Sequence, residues 1–259
     1  MQASYEDSSI LSLESRKLMH RPAYKRVLLK LSGEALMGGQ AFGVEPAASS
    51  QIAQMIKQAC DLKVQLGIVI GGGNIFRGAQ AKAFNFERTP ADHIGMLSTT
   101  INGLVLQQSL KSIGIDTHVM SALNTDVIVE KYNWKQALAY LESDVPVIFV
   151  GGTGNPYFTT DSAAALRAIE MKSEILLKAT KVDGIYDCDP KKSTKAKKFN
   201  RLTYAEVLAK NLKVMDSTAI ALCAENKIPI CVFDLFDPTA LLNIVCGESL
   251  GTLVTGDKS

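Results

Sequence analysis

Long apolar segments and a marked charge imbalance are both absent from this sequence of 259 residues. No apolar run reaches the roughly 18 residues of a membrane-spanning helix, and residues 1–22 lack the apolar core of an export signal. Lysine and arginine number 28 against 26 acidic residues, a net charge of +2. This balance argues against a polyanion-binding surface over the whole protein and leaves only a local basic patch open. We therefore expect a cytoplasmic protein that binds neither a membrane nor nucleic acid.

The cysteines and histidines lack the spacings of metal and redox sites. No two of the five cysteines form a C-x-x-C pair, and the three histidines are far apart in the sequence. An odd number of cysteines fits free thiols in a reducing compartment. The sequence thus predicts no protein-bound metal site.

Three phosphate-binding fingerprints are also missing. The G-x-x-x-x-G-K-[ST] pattern is absent, and no G-x-G-x-x-G turn follows the first predicted strand. The signatures of protein kinases are absent as well. These absences argue against Walker-type nucleotide kinases, dinucleotide-binding Rossmann domains and protein kinases.

Apolar residues make up 47% of the chain, and they recur in strand-like and helix-like patterns that alternate. Strands are predicted at 25–33, 67–70, 115–121, 145–150, 174–178, 229–233 and 251–254. Helices are predicted at 46–65, 90–112, 133–142, 160–171, 203–211 and 214–226. Such alternation indicates β-α-β units and a mostly parallel sheet covered on both faces. We predict an α/β fold, a single three-layer αβα sandwich with an open sheet over residues 23–259, after a flexible arm over 1–22.

The helix predicted at 90–112 is apolar on more than one side. Its main stripe comprises Ile94, Leu97, Ile101, Leu104 and Val105, with Met96 and Leu106 outside that stripe. A helix of this kind is buried on more than one side, either within the subunit or against a second subunit.

Three predicted strands end in glycine-rich turns that lead toward helices. These turns are Lys30–Gly33, Gly71–Arg77 and Gly151–Thr160. Ligands of open parallel sheets bind beyond the carboxyl ends of the strands, where glycine N–H groups and helix N-termini can face phosphate oxygens. One such turn is usually only a tight turn, but three on one sheet edge indicate a site for several phosphates.

Two charged residues of these turns, and a third directly after the last turn, are candidates for catalysis. Lys30 lies in an apolar strand, where an ammonium is costly to bury without a partner; it either reaches solvent or meets a bound phosphate. Arg77 follows a triple glycine and could clamp a second phosphate. Asp161 is either a helix N-cap or a carboxylate that holds a lysine or magnesium.

Lysines crowd the segment 189–198, at Lys191, Lys192, Lys195, Lys197 and Lys198. This composition fits either a solvated loop or a loop near bound phosphates.

Six segments carry a resemblance to a known family. They are Lys25–Leu36, Val69–Gly78, Ala91–Leu97, Thr153–Ser162, Leu177–Gly184 and Leu212–Asp216. In this order they resemble the motifs of the bacterial UMP kinases (uridylate kinases), members of the amino acid kinase family. The resemblance runs from about residue 24 to the end of the chain and excludes the N-terminal arm.

The resemblance implies a set of site residues. It places catalysis on Lys30, Arg77 and Asp161. It places ATP on Lys30, Leu31, Ser32, Gly33, Gly73, Arg77, Thr180, Tyr186 and Asp189. It places UMP on Gly72, Asp92, Thr153, Gly154, Asn155, Pro156, Tyr157, Phe158, Thr159 and Thr160. Activation by GTP maps to Gly38, Gly39, Gln40, Ala41, Phe42 and Gly43. Mg²⁺ with ATP, inhibition by UTP and a homohexamer built from dimers are implied too.

The reaction implied is transfer of the γ-phosphoryl group of MgATP to UMP, in pyrimidine nucleotide biosynthesis. The acceptor phosphate is already an anion, so no general base is assigned. Two alternatives remain. A carboxylate kinase of the same family, acting on acetylglutamate or aspartate, conflicts with Asp92, which would repel a carboxylate. A non-catalytic nucleotide sensor would be favoured by loss of Lys30 or Arg77, and both are present. Whether Asp161 or Asp216 orients the phosphate-binding lysine is open at this stage.

Overall fold

The computed structural model describes residues 21–77, 83–212 and 214–256. Its strands are β1 (Arg26–Leu31), β2 (Gln65–Ile70), β3 (His118–Ser121), β4 (Glu130–Lys131), β5 (Val147–Val150), β6 (Ile175–Thr180), β7 (Ile185–Tyr186), β8 (Lys198–Phe199), β9 (Arg201–Thr203), β10 (Ile230–Asp234) and β11 (Thr252–Thr255). Its α-helices are α1 (Pro46–Asp61), α2 (Arg88–Ser112), α3 (Trp134–Glu142), α4 (Thr160–Glu170), α5 (Tyr204–Ala209), α6 (Ser217–Glu225) and α7 (Ala240–Val245). A 3₁₀-helix spans Gly33–Met37. The predicted arm lies outside the described residues, except for Arg21 and Pro22.

Nine strands form one sheet in the order β4-β3-β5-β2-β1-β6-β10-β11-β9. All neighbouring pairs are parallel except β10 and β11. Strand β1 lies at the centre and is buried along its whole length, as expected of a parallel strand covered on both faces. The predicted mostly parallel sheet is confirmed.

Two apolar cores lie on opposite faces of this sheet, because side chains of a strand alternate between faces. Val27 and Leu29 enter the core that includes Ile52 of α1. Leu28 enters the other core, which includes Ala164 of α4 and Ile220 of α6. The sheet therefore lies between two helical layers, which is the predicted three-layer sandwich.

Short elements depart from the sequence prediction. Strands β4, β7, β8 and β9 have only two or three residues each. Segments this short show no detectable alternation of apolar and polar residues in the sequence. Helix α7 was not predicted either. Helix α1 ends at Asp61 instead of residue 65, since Lys63 takes a left-handed φ of 62°. Helix α6 begins at Ser217 instead of residue 214.

The carboxyl ends of β1, β2, β5 and β6 all reach one edge of the sheet, because these strands are parallel. The turns after β1 and β2 approach each other so closely that a Cβ on Gly71 would lie 3.0 Å from the backbone N of Gly33. The turn after β5 needs left-handed backbone at Gly151 and Gly152. This edge thus brings the three glycine turns together. Among the described helices, none is long and apolar enough to cross a membrane.

Candidate active site

Three buried charges form the innermost part of this edge. The Nζ atom of Lys30 lies 2.7 Å from Oδ1 of Asp161, and the Nζ atom of Lys178 lies 2.8 Å from Oδ2. The three side chains are only 10–14% exposed. Lys178 also donates a hydrogen bond to the carbonyl of Val214. One carboxylate therefore holds two ammonium groups side by side at the strand ends.

Strand register explains why the two lysines meet. In the parallel pair of β1 and β6, Lys30 lies directly opposite Lys178, so both side chains point to the same face. Asp161 reaches them from the first turn of α4. The N-cap of α4 is Thr159, whose hydroxyl accepts a hydrogen bond from the backbone N–H of Asp161 at 3.0 Å. The N-cap alternative for Asp161 is therefore wrong, and its carboxylate is left for the lysines.

Burial and charge act in opposite directions on Asp161. Burial favours its neutral form, but the adjacent ammonium groups of Lys30 and Lys178 outweigh this effect and hold the pKa of Asp161 below its usual value. Burial lowers the pKa of the Lys178 ammonium, and the charge of Asp161 opposes that shift. Asp161 is accordingly ionised at neutral pH.

Asp216 supports this arrangement from outside. It accepts hydrogen bonds from the hydroxyl of Thr159 and from Oγ of Ser162, the latter at 2.9 Å, and it caps α6 by accepting from the N–H of Ala219 at 2.8 Å. It contacts the start of α4, whereas Asp161 contacts the lysines. The question left open by the sequence is thus answered in favour of Asp161 as the residue that touches Lys30.

A second cluster of charges lies further out. Glu34 lies 2.9 Å from the Nζ atom of Lys181 and 3.5 Å from Nη2 of Arg77. The hydrogen bond from Lys181 lowers the pKa of Glu34, as do the charges of Lys181, Arg77 and Lys191. Arg77 also donates from Nε to the carbonyl of Gly73 at 2.8 Å. Lys191, in the basic segment 189–198, thus acts on Glu34 at this edge through its charge.

A cavity of about 770 Å³ opens beside these charges. Eight of its lining residues were assigned to nucleotides from the sequence, namely Gly72, Gly73, Asp92, Thr153, Asn155, Phe158, Thr159 and Thr160. Gly154, Pro156 and Tyr157 are not part of the lining. Gly154 instead approaches Ala122, since a Cβ there would lie 2.9 Å from the carbonyl oxygen of that residue.

Asp92 lines the cavity and connects helix α2 with the loop after β5. Its carboxylate accepts hydrogen bonds from Nε of Arg88, at 2.9 Å on Oδ1 and 2.7 Å on Oδ2. The backbone N–H of Tyr157 donates to Oδ2 at 2.7 Å, and the Arg88 guanidinium lies 5.5 Å from the centre of the Tyr157 ring. Helix α2 is thereby tied to the loop after β5.

The other lining residues were not assigned to a nucleotide from the sequence. They are Phe76, Phe86, Arg88, Ala91, Gly95, Met96, Thr99 and Gly152. The spacing of four between Arg88 and Asp92 is a helical ion-pair signal that could have identified Arg88. No local signal marks Thr99 in the sequence, because the partner of its hydroxyl is the backbone N–H of Gly151, which lies 52 positions away.

The residues expected to hold adenosine lie apart from this cavity. Thr180 ends β6 and donates to the carbonyl of Val182 at 2.6 Å, and Tyr186 donates to Asp183 at 2.6 Å. Asp189 accepts from the N–H of Lys191 at 3.0 Å. These side chains follow β6, next to the strand that carries Lys30. The structure thus separates the predicted adenosine residues from the cavity, whereas Gly73, which was also assigned to ATP, lines it.

The segment expected to bind GTP, residues 38–43, follows the 3₁₀-helix. The N–H of Gly39 donates to Glu45 at 3.1 Å, and the N–H of Gly43 donates to the carbonyl of Asn74 at 2.8 Å. Phe42 is 73% exposed. The loop is anchored at both ends and presents an aromatic ring outward.

Comparison with known proteins places this chain in a family. The family model described as the amino acid kinase family matches residues 25–234. The chain belongs to the amino acid kinase family.

The relatives within this family carry consistent names. A protein of Protochlamydia amoebophila named uridylate kinase is 58% identical over 233 residues, which cover 89% of this chain and 92% of that protein. A uridylate kinase of Porphyromonas gingivalis is 51% identical, with 92% and 99% covered. The crystal structure of UMP kinase from Bacillus anthracis superposes with a TM-score of 0.89 at 40% identity, over 92% of this chain and 98% of that one. The resemblance and the fold inferred from the sequence are confirmed.

The charged residues at this edge of the sheet include few groups that could hold a metal. Among the residues that the structure describes, no three His, Cys, Asp or Glu side chains come together as a metal site. Both oxygens of Asp161 face ammonium groups, and both oxygens of Glu34 face cations. Because Mg²⁺ is commonly held by few carboxylates together with substrate phosphates, this donor set fits an ion that arrives with the triphosphate.

Proposed function

We propose that this protein is a UMP kinase that transfers the γ-phosphoryl group of MgATP to UMP and yields UDP and ADP, within pyrimidine nucleotide biosynthesis. The observation that carries the proposal is the pair of Lys30 and Lys178 on Asp161, next to a cavity that contains Asp92. The curated relatives named uridylate kinase, 51% and 58% identical, support the same reaction.

The charges suit phosphoryl transfer. This reaction needs two mutually repelling anions held in line, with positive charge where charge moves. Asp161 fixes two ammonium groups at once and leaves a net positive charge in a buried place, where it acts strongly on phosphate oxygens. Lys30 contacts the transferred group, and Arg77 with Gly73 holds the neighbouring phosphates. Mg²⁺ enters as part of the substrate MgATP and neutralises phosphate charge.

The acceptor phosphate needs no base from the protein. A phosphate monoester has a second pKa near ~6 and is largely ionised at pH 7. The backbone of Gly72 and the N-terminus of α4 at Thr160 offer N–H groups to this phosphate. Asp92 accepts from the ribose hydroxyls. Its three observed hydrogen bonds leave one of about four acceptor positions, on Oδ1, for a ligand.

The triphosphate and its nucleoside occupy the other side of the lysine pair. Leu31, Ser32 and Gly33 present backbone to the phosphates where β1 ends. Adenosine lies along Thr180, Tyr186 and Asp189, beyond the end of β6. In this division Lys30–Gly33 serves ATP, Gly151–Thr160 serves UMP, and the turn Gly71–Arg77 lies between the two nucleotides, whose reacting phosphates meet at Lys30.

Assembly and regulation follow the same proposal. Met96 and Leu106 of α2 are buried within the subunit, whereas Leu97 and Ile101 are each 50% exposed, as expected if α2 also packs on a second subunit. We infer a cytoplasmic homohexamer of dimers, activated by GTP near residues 38–43 and inhibited by UTP. Light scattering that gives a stable monomer of about 28 kDa at micromolar concentration would contradict this assembly.

An ADP-release assay across acceptors tests the reaction. With MgATP, we expect turnover of UMP to exceed that of CMP and dUMP, and acetylglutamate to give no turnover because Asp92 repels its carboxylates. Phosphorylation of acetylglutamate would point to a carboxylate kinase. Nucleotide binding without turnover of any acceptor would point to a nucleotide sensor.

A further inference from the structure

Two buried asparagine side chains lie against the glycine turns and are hydrogen-bonded to each other. Asn102 of α2 is fully buried, and Asn74, in the turn after β2, is 2% exposed. Each NH₂ group donates to the side-chain oxygen of the other residue, at 3.0 Å from Asn74 and at 2.6 Å from Asn102. Asn102 also donates to the carbonyl of Gly71 at 2.7 Å, and Asn74 donates to that of Gly43 at 2.9 Å. Both NH₂ groups therefore use both of their hydrogens.

The two oxygen atoms held by Asn102 also lie against the first glycine turn. A Cβ on Gly33 would clash with Oδ1 of Asn74 and would lie 2.5 Å from the carbonyl oxygen of Gly71. These two oxygens are the acceptors of the Asn102 NH₂ group. Gly33 has room for both only because it lacks a side chain. The amide of Asn102 thus fixes the place where the turns after β1 and β2 meet.

Two glycines assigned to phosphates lie between positions that Asn102 holds. Gly71 is held at its carbonyl, and Asn74 is held at its side chain. The two residues between them are Gly72, which we assign to the acceptor phosphate, and Gly73, which we assign to ATP. Glycine has the greatest backbone freedom of any residue, so the direction of this backbone depends on its anchored neighbours.

Helix α2 holds the third glycine turn from the same face. The hydroxyl of Thr99 accepts from the backbone N–H of Gly151 at 2.7 Å and donates to the carbonyl of Met96 at 2.6 Å. Thr99 and Asn102 are three residues apart and so are neighbours on one face of the helix. Thr99 is only 2% exposed. One buried polar stripe of α2 therefore contacts all three glycine turns.

We propose that Asn102 is a positioning residue for phosphoryl transfer, whose amide sets the placement of the turns after β1 and β2 relative to each other. This inference rests on the proposed function, in which these turns hold the reacting phosphates. Because Asn102 is fully buried, it acts on the substrates through the Gly71 carbonyl and Asn74. In-line transfer is sensitive to such placement, since a displacement of about 1 Å can cost ~10²-fold in rate.

The test measures steady-state kinetics with MgATP and UMP at a temperature well below the melting temperature of each variant. Asn102→Ala removes the NH₂ group, and Asn102→Asp keeps the shape but replaces that group with an oxygen. We expect kcat to fall about tenfold or more in both variants. KM for ATP and for UMP should stay within about threefold, because the residues that contact the nucleotides are unchanged. A wild-type kcat in either folded variant, or a loss confined to KM, would overturn the proposal.

Leu110→Ala separates positioning from a loss of stability. Leu110 is fully buried on the same helix, eight residues from Asn102 and so about 12 Å further along the helix axis. Its truncation should lower the melting temperature by roughly 4–20 °C and leave kcat within about twofold. Asn102→Ala also destabilises, since it leaves two buried acceptors without their donor. An equal fall of kcat in Leu110→Ala would show that any damage to α2 slows turnover, and would overturn the specific role of Asn102.

The remaining outcomes are distinct. If only Asn102→Asp fails to fold, because of its buried carboxylate, the kcat of Asn102→Ala decides. Failure of both variants to fold would make the amide pair a folding element and overturn the proposal. No turnover of UMP by the wild-type protein would overturn the proposed function itself, whereas an active wild type with unchanged kcat in the variants would overturn this inference alone.

Discussion

Replacing Asp161 with asparagine should both destabilise the protein and impair phosphoryl transfer. The substitution keeps the shape of the side chain but removes the negative charge that lies 2.7 Å from Lys30 and 2.8 Å from Lys178. Two buried ammonium groups then repel each other without a counter-charge. Removing one partner of a buried ion pair typically costs about 3–5 kcal/mol, a large part of the 5–15 kcal/mol or so that holds a domain folded.

Thermal unfolding measures this cost. For a domain of this size, each kcal/mol lowers the melting temperature by about 2–4 °C, so the loss should be roughly 6–20 °C. The matched control is Asp61→Asn, which breaks the exposed i,i+4 pair with Lys57 at 2.9 Å. That pair stabilises the fold by about 0.3–0.5 kcal/mol, so its loss should hardly change the melting temperature. Equal melting temperatures for the two variants would refute the reasoning.

The pH dependence gives the same prediction an independent readout. The pKa of Asp161 is lower in the folded protein than in the unfolded chain, where it is about 3.9. Its ionisation therefore contributes stability that is fully present above about pH 4 and is lost as the pH falls through the lower folded-state pKa. Asp161→Asn lacks this contribution. The difference in unfolding free energy between wild type and variant should shrink in acid, and a constant difference down to pH 2 would contradict the ion-pair account.

Three further predictions concern single residues. Lys30→Ala should lower kcat by about 10²-fold or more, the usual loss for one transition-state donor, while Lys57→Ala leaves it unchanged; near wild-type turnover of Lys30→Ala would show that the phosphate site is misplaced. Asp92→Asn should raise KM for UMP about tenfold, equivalent to ~1.4 kcal/mol, with little change in KM for ATP; equal damage to both KM values would argue for a purely structural residue. A thiol reagent at pH 8 should label the exposed Cys188 first, as mapped by mass spectrometry. Burial raises the pKa to about 12 for the buried Cys223 and Cys231 and for the partly buried Cys60, and labelling of these three thiols at the same rate as Cys188 would contradict the prediction.

The long helices and strands, and the sheet edge at which the glycine turns meet, were predictable from the sequence because both produce recognisable patterns over a few neighbouring residues. The apolar run of β1 with a single lysine indicated a buried cation that needs a partner. From the sequence, Asp161 could be either that partner or the N-cap of a helix. The structure decides between the two, because the N-cap is Thr159, two residues earlier. Lys178 was not recognised as the second ammonium group, because it meets Lys30 only through the pairing of strands 148 positions apart. The contact between Asp92 and the N–H of Tyr157 spans 65 positions and is equally invisible to local reasoning.

The pairing of Lys30 with Lys178 also bears on how the chain avoids misfolding. Side chains of a strand alternate between the two faces of the sheet, so a shift of β6 by one residue against β1 would turn the Lys178 ammonium into the opposite apolar core, which contains Leu29 and Leu177. An unpaired charge there is far more costly than an apolar residue in the wrong place. Asp161, at the start of α4, accepts both ammonium groups only when β1, β6 and α4 are all in the native arrangement. The same three charges that we assign to phosphate chemistry thus penalise wrong registers at the centre of the sheet while the protein folds.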